Sequence, residues 1–274
     1  MGVVRIGAVS YLNARPLVVG LEARRDRFAV RYDLPSTCAH LLHGREIDLG
    51  LIPSIEYLRG EGYAMVPDCA VVSDGPVASV AIFTKVPIER VRTLSLDTSS
   101  RTSVALTRVM TAKYFDIAPR FIDEGPDLEA MIRHADAALL IGDPALFADH
   151  EGLGLDKIDL GQAWKDFTGL PFVYACWTGQ PGALTPADVD VLQHARAEGA
   201  ATPEIVSRGY YPDDAVKAAV GADYLRDNIR FRMGAREEAG LERFFALAAE
   251  LGVVPRTQPL RWYPAVPGDG ARYC

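Results

Sequence analysis

The chain has 274 residues, 49% of them apolar and 24% charged, the balance of a globular protein large enough for one big α/β core or two lobes. No apolar run approaches the ~20 residues that a membrane-crossing helix needs. The formal charge of −7 and the dispersal of the arginines argue against a nucleic-acid-binding face and leave room only for a local positive site for a small anion.

In chain order, the first hundred residues alternate short β-rich runs with helical patterns, as a parallel sheet with crossover helices requires. Strands are predicted at 3–9, 28–33, 47–52 and 77–84. Helices are predicted at 14–25, 36–44 and 54–60, with Pro16, Pro35 and Pro53 near their starts, where a missing N–H costs little. A second series repeats the pattern, with strands at 92–97, 119–123 and 137–142 and helices at 100–115, 127–134 and 143–148. Residues 164–170 read as a helix end. Residues 172–177, bounded by Pro171 and Gly179, read as a strand returning to the first lobe. From about 185 the chain is helical: Thr185-Pro186-Ala187-Asp188 is a helix start, and 235–251 repeats apolar residues at helical spacing.

The expected fold class is therefore α/β with two lobes and a ligand cleft between them, the connectivity of bilobal solute-binding proteins. Residues 1–85 and 176–263 form one lobe, 86–175 are inserted as the other, and 264–274 form a loose tail. The first strand follows Met1 almost directly, so no export segment is expected and a cytoplasmic location is. Cys38, Cys69, Cys176 and Cys274 lie far apart with no Cys-x-x-Cys pair, which fits reduced thiols and no structural metal.

Open α/β sheets bind ligands at the carboxyl ends of their strands, so the candidate site residues are sought there. Ser10, Tyr11 and Asn13 crowd the turn after the first strand; an Asn there also caps helices, but three polar groups exceed what capping requires. Ser54 and Glu56 follow the third strand near the same rim, with Glu56 serving either a ligand or the helix dipole. Thr98, Ser99, Ser100, Arg101 and Thr102 end the strand at 92–97 and open a helix. Their hydroxyls, exposed N–H groups and guanidinium form a candidate carboxylate cradle, against the alternative of a plain cap. Gly142, which permits close backbone approach, and Asp143, which also suits a cap, end the strand at 137–141. Ser79 alternates with apolar neighbours, as a buried and satisfied hydroxyl would. His40 and His43 share a helix face without an acidic ligand pair, so metal binding is not expected. Gly-x-Ser-x-Gly, Walker and Gly-x-Gly-x-x-Gly patterns are missing, which withdraws support from covalent and nucleotide chemistry.

Three ordered motifs carry a family resemblance. They are Ile6-Gly7-Ala8-Val9-Ser10-Tyr11-Leu12-Asn13 with Pro16-Leu17, Asp48-Leu49-Gly50-Leu51-Ile52-Pro53-Ser54-Ile55-Glu56-Tyr57, and Asp97-Thr98-Ser99-Ser100-Arg101-Thr102-Ser103. Together they resemble the menaquinone-biosynthesis family of the futalosine route, over a span from the first strand to about Trp262. The Ser-Tyr-Leu-Asn opening is similar to the chorismate dehydratase branch, whereas the dihydroxynaphthoate synthase branch opens with a Ser-Pro-Cys-Pro-Asn-Asp type of turn. The resemblance implies a periplasmic-binding-protein-like fold of the second type used as an enzyme, a hydro-lyase converting chorismate to 3-[(1-carboxyvinyl)oxy]benzoate and water. It implies no cofactor. The family's functional Asn falls on Asn13, and its polar strand serine on Ser79 within Gly-Pro-Val-x-Ser-Val.

That reaction removes the C3 hydrogen and the C4 oxygen while the enolpyruvyl ether stays, and aromatisation drives it. The site has to hold one conformer and help hydroxide leave, which placed hydrogen-bond donors in a dry cleft do well. Asn13 and Ser79 are the candidate donors; the base is either Glu56 or, preferred, the substrate's own enolpyruvyl carboxylate. The same cleft also suits a non-catalytic small-carboxylate-binding protein or the sister naphthoate synthase activity. A ligand-sensing regulator is the weakest alternative, since no helix-turn-helix segment is evident.

Overall fold

A computed structural model describes residues 2–265, and its central strands form where apolar residues run nearly unbroken. Ten strands are present: β1 (Val4–Val9), β2 (Phe28–Asp33), β3 (Leu49–Pro53), β4 (Ala64–Ser73), β5 (Val80–Thr84), β6 (Thr93–Asp97), β7 (Arg120–Glu124), β8 (Ala137–Ile141), β9 (Asp156–Asp159) and β10 (Phe172–Gly179). They make two five-stranded sheets in the orders β2-β1-β3-β10-β4 and β7-β6-β8-β5-β9. In the first, β1 runs parallel to β2 and β3, while β10 runs antiparallel to β3 and β4. In the second, β6 runs parallel to β7 and β8, while β5 runs antiparallel to β8 and β9. Each sheet thus takes in one reversed strand from the chain that crosses to it. Every residue of β3, β5, β8 and β10 is buried, the signature of central strands covered on both faces.

The helices are α1 (Pro35–His43), α2 (Arg101–Lys113), α3 (Leu128–His134), α4 (Gly142–Leu146), α5 (Leu160–Thr168), α6 (Pro186–Ala201), α7 (Pro203–Tyr210), α8 (Ala215–Asp227) and α9 (Ala235–Glu250). The Thr185 start holds as read, with Thr185 and Asp188 forming a capping box at α6. None of the described helices is long and apolar enough to cross a membrane.

Four elements and two lobe boundaries differ from the sequence reading. The helix expected at 14–25 is two short 3-10 turns, Leu12–Val18 and Leu21–Ala23, because Pro16 interrupts the hydrogen-bond ladder and Gly20 turns the chain with a left-handed φ of 73°. The segment at 54–60 is likewise 3-10, Ser54–Arg59. The boundary expected after residue 85 puts β5 with the first sheet, yet β5 is bonded to β8 and β9 in the second. The return likewise comes before 176, since β10 starts at Phe172 in the first sheet. β4 and β9 were not expected at all. Pro67 and Asp68, the latter at φ 60°, read as a turn inside β4, and an edge strand tolerates both. β9 is a short polar edge strand. The expected tail lies outside the described residues from 266 onward.

Candidate active site

β1 carries its apolar residues into the core and stops at Ser10, whose N–H donates to the Asp33 carbonyl at 2.9 Å. The chain then turns into the Leu12–Val18 segment and presents Tyr11 and Asn13 to a narrow void of about 40 Å³. That void lies between the sheets. Val9, Leu51, Val71 and Tyr174 wall it from the first; Val80, Ser100, Ser103, Ile141 and Gly142 wall it from the second. Gly142 is required there: at φ +65° a side chain is strained, and a Cβ would sit 2.9 Å from the Tyr11 ring. Its absence lets a first-sheet tyrosine lie against the end of β8.

Of the expected site residues, Tyr11, Asn13, Ser100 and Gly142 line the void. Ser99 stands behind Tyr11, their hydroxyls 3.2 Å apart. Ser79 is buried beside the lining residues Val77 and Val80, its hydroxyl 2.6 Å from that of Tyr224. The other seven do not reach the void. The Ser10 carbonyl accepts from Tyr210 at 2.9 Å. Ser54 donates to the Val173 carbonyl at 2.8 Å. Thr98 is exposed, against the Glu124 carbonyl. Thr102 is fully buried and its hydroxyl accepts the Ile55 N–H at 3.1 Å. Arg101 turns the other way and pairs with Glu56 at 2.8 Å. The expected five-residue cradle therefore reduces to Ser100, joined by Ser103, whose hydroxyl donates to that of Ser100 at 3.1 Å.

Glu56 is the clearest correction. It is fully buried and bound by Arg101 at 2.8 Å and by His43 and Arg59 at 2.9 Å each. Burial alone would raise its pKa, but the His43 hydrogen bond and the two arginine charges outweigh that and hold it below the ordinary carboxylate range. A carboxylate held by two arginines and a histidine hydrogen bond, with no access to the void, is a poor base. Asp143 is also structural: it accepts the Leu12 N–H at 3.2 Å and meets the Tyr210 hydroxyl at 2.6 Å, linking the end of β8 to the start of the Asn13 segment. Burial raises its pKa.

Among the described residues lining the void there is no carboxylate, imidazole, thiol or amine. Its titratable groups are the phenols of Tyr11 and Tyr174, and burial raises the pKa of both, most of all the fully buried Tyr174. Both stay protonated near neutrality. The wall therefore offers neutral donors and apolar surface. Among the described residues no group of His, Cys, Asp and Glu side chains gathers as metal ligands would. Ser103, Tyr174 and Tyr224 are the polar residues around the site that sequence reasoning missed. Ser103 was legible as the helical i+3 neighbour of Ser100, but Tyr174 and Tyr224 come from a strand and a helix whose approach no local pattern announces.

A family model described as menaquinone biosynthesis matches residues 4–250. The chain belongs to the menaquinone-biosynthesis family. It is 30% identical over 271 residues to a chorismate dehydratase of Thermus thermophilus, covering 93% of this chain and 98% of that one. Solved structures of the same fold include a protein of Archaeoglobus fulgidus, with TM-score 0.73 and 15% identity, over 92% of this chain and 98% of that one. Another is the periplasmic aliphatic sulphonate binding protein of Escherichia coli, with TM-score 0.64 and 19% identity, over 93% and 94%. These neighbours establish a periplasmic-binding-protein fold, in which this family member's void occupies the space between the two sheets.

Proposed function

We propose that this protein is a chorismate dehydratase, a hydro-lyase that forms 3-[(1-carboxyvinyl)oxy]benzoate and water. The observation that carries the reading is Asn13: the Ser-Tyr-Leu-Asn turn presents this amide to a void that holds no ionised side chain among its described lining. The 30% identity to a curated chorismate dehydratase along nearly the whole chain supports the same substrate. The first sheet, with 1–73 and the return from Phe172, acts as one lobe, and the second, from Val80 to α5, as the other.

In this reading the start of α2, with the Ser100 hydroxyl and the N–H groups of Arg101 and Thr102, which have no helical acceptor, receives one carboxylate of the substrate, while Ser103 donates to Ser100. Asn13 donates to the C4 oxygen as it leaves with the bonding pair. The C3 proton passes to the enolpyruvyl carboxylate of the substrate itself, the new C3–C4 double bond completes the aromatic ring, and that proton and the hydroxide make up the released water. The lack of a low-pKa side chain on the described walls favours this substrate-borne base over a protein base. Apolar walls from Val9, Leu51 and Val80 keep the reacting face dry.

Purified protein incubated with chorismate is expected to generate an aromatic enol ether, followed by ultraviolet absorbance and mass spectrometry. Binding without turnover instead would identify a small-carboxylate carrier, and indifference to chorismate would end the proposal.

A further inference from the structure

The segment that crosses from β4 to β5, Asp74-Gly75-Pro76-Val77-Ala78-Ser79, is held more firmly than a connection needs to be. Ala78 adopts φ +62°, a left-handed conformation that a side chain disfavours. The Asp159 carboxylate accepts the Val77 N–H at 3.0 Å and the Ala78 N–H at 2.6 Å, and the Lys157 ammonium donates to the Ala78 carbonyl at 2.8 Å. The Asn228 amide donates to the Pro76 carbonyl at 3.1 Å, and the Ser79 carbonyl accepts the Gly142 N–H at 2.8 Å. Strain of this kind persists only where the surroundings over-determine it, and it gathers at functional positions.

The same segment meets α8 through one buried hydroxyl. Tyr224 lies 2.6 Å from the Ser79 hydroxyl, and the Asn13 amide pulls the pKa of the same phenol down against burial, as a donor nearby would. One turn earlier on α8, Gly221 permits this approach, since a Cβ there would stand 2.7 Å from a Leu12 methyl, next to Asn13 in sequence. Tyr224 thus stands between the residue on the void wall and the residue at the strained crossing, bonded to the second. Burial raises its pKa, so it remains a neutral phenol.

We infer that Tyr224 is a positioning residue for the dehydration, its hydroxyl fixing the Asn13 amide against Ser79 so that an N–H faces the void. This rests on the reading in the previous subsection. A phenol oxygen accepts one amide hydrogen from Asn13 and passes its own hydrogen to Ser79, which leaves the second amide hydrogen for the departing oxygen. An amide without that anchor rotates, and the ground state is little affected because α2 still holds the substrate carboxylate. The loss falls on the chemical step.

Tyr224→Phe removes one oxygen and keeps the ring. Measured beside wild type, it is expected to lower kcat by roughly 10- to 100-fold with KM within about 3-fold, and to add little when combined with Asn13→Ala. Ser79→Ala cuts the same chain from its other end, is expected to show the same split, and serves if Tyr224→Phe melts early. A Tyr224→Phe enzyme with wild-type kcat, or one whose loss multiplies in full with that of Asn13→Ala, overturns the inference while leaving the dehydratase reading intact. A wild type that leaves chorismate unchanged overturns that reading and the catalytic role together. The hydrogen bond alone is then read from the Asn13 side-chain amide resonances, which shift in Tyr224→Phe if it exists.

Discussion

The two faces of the start of α2 are built in opposite ways. One presents Ser100 and Ser103 to a void without an ionised side chain among its described lining; the other sends Arg101 into a cluster where Glu56 meets His43, Arg59 and Arg101. Between them Thr102 is spent on the Ile55 N–H of the first lobe. Helical geometry makes this separation, because residues three apart share a face while adjacent ones do not. The chain uses its charges to fasten one lobe to the other and, in the proposed reading, keeps its neutral donors for the ligand. For a protein of net charge −7 that takes a dianion, a void free of carboxylates avoids repulsion at the point of contact.

The neutral side breaks most visibly at Asn13. Asn13→Ala is expected to lower kcat by about 100-fold or more, the size of losing one placed donor to a developing oxyanion, with KM changing little. Equal losses in kcat and affinity in steady-state and binding assays would deny the amide that role. On the charged side, Glu56→Gln leaves Arg59, Arg101 and His43 without their shared carboxylate. Because Arg59 and Arg101 are partly exposed, the expected loss is about 2–3 kcal/mol of unfolding stability in denaturant titrations, with turnover per folded molecule retained. A folded Glu56→Gln protein that binds chorismate and does not turn it over would make Glu56 the base after all. The sign of the pH effect follows from its lowered pKa. The Glu56 contribution is present above the ordinary value of 4.5 and is lost as pH falls through the lower folded value, so wild type loses stability with acid more steeply than Glu56→Gln does.

Much of this was legible locally. β1, β2, β3, β6, β7 and β8 and helices α1, α2 and α3 follow from periodicity and caps, because each is specified by residues inside it. That Tyr11, Asn13, Ser100 and Gly142 line the void between the sheets accords with one rule, that ligands lie at strand ends. The misses share a cause. Pro67 inside β4 is tolerable only because β4 is an edge strand, and the inward turn of Arg101 depends on Glu56, forty-five residues away. Tyr224 reaches Ser79 across 145 residues. Such facts belong to the packing of elements, which no window of sequence contains.

Arg101→Ala sharpens the contrast at lower amplitude. Its guanidinium is partly exposed and points away from the void, so chorismate affinity is expected to stay within about 3-fold of wild type, with at most about 1 kcal/mol of stability lost. A tenfold loss of affinity by calorimetry would return Arg101 to the substrate.

The smallest effect is expected at Asp143, where the two lobes meet by hydrogen bonds rather than by charge. The Tyr210 hydroxyl has one hydrogen, yet both Asp143 at 2.6 Å and the Ser10 carbonyl at 2.9 Å stand at bonding distance as acceptors. Asp143→Asn resolves the competition. Its carbonyl keeps the Leu12 N–H, its NH₂ donates to the Tyr210 oxygen, and the phenol is free to donate to Ser10. Burial raises the Asp143 pKa, so its ionised form carries a penalty at neutral pH that fades as pH falls through the raised folded value toward the ordinary 3.8. The Asn variant is therefore expected to be as stable as wild type or up to about 1 kcal/mol more so at pH 7, with the gap closing on acidification. A variant that is markedly less stable at pH 7 would mean that the charge itself, and not the hydrogen-bond count, holds this junction together.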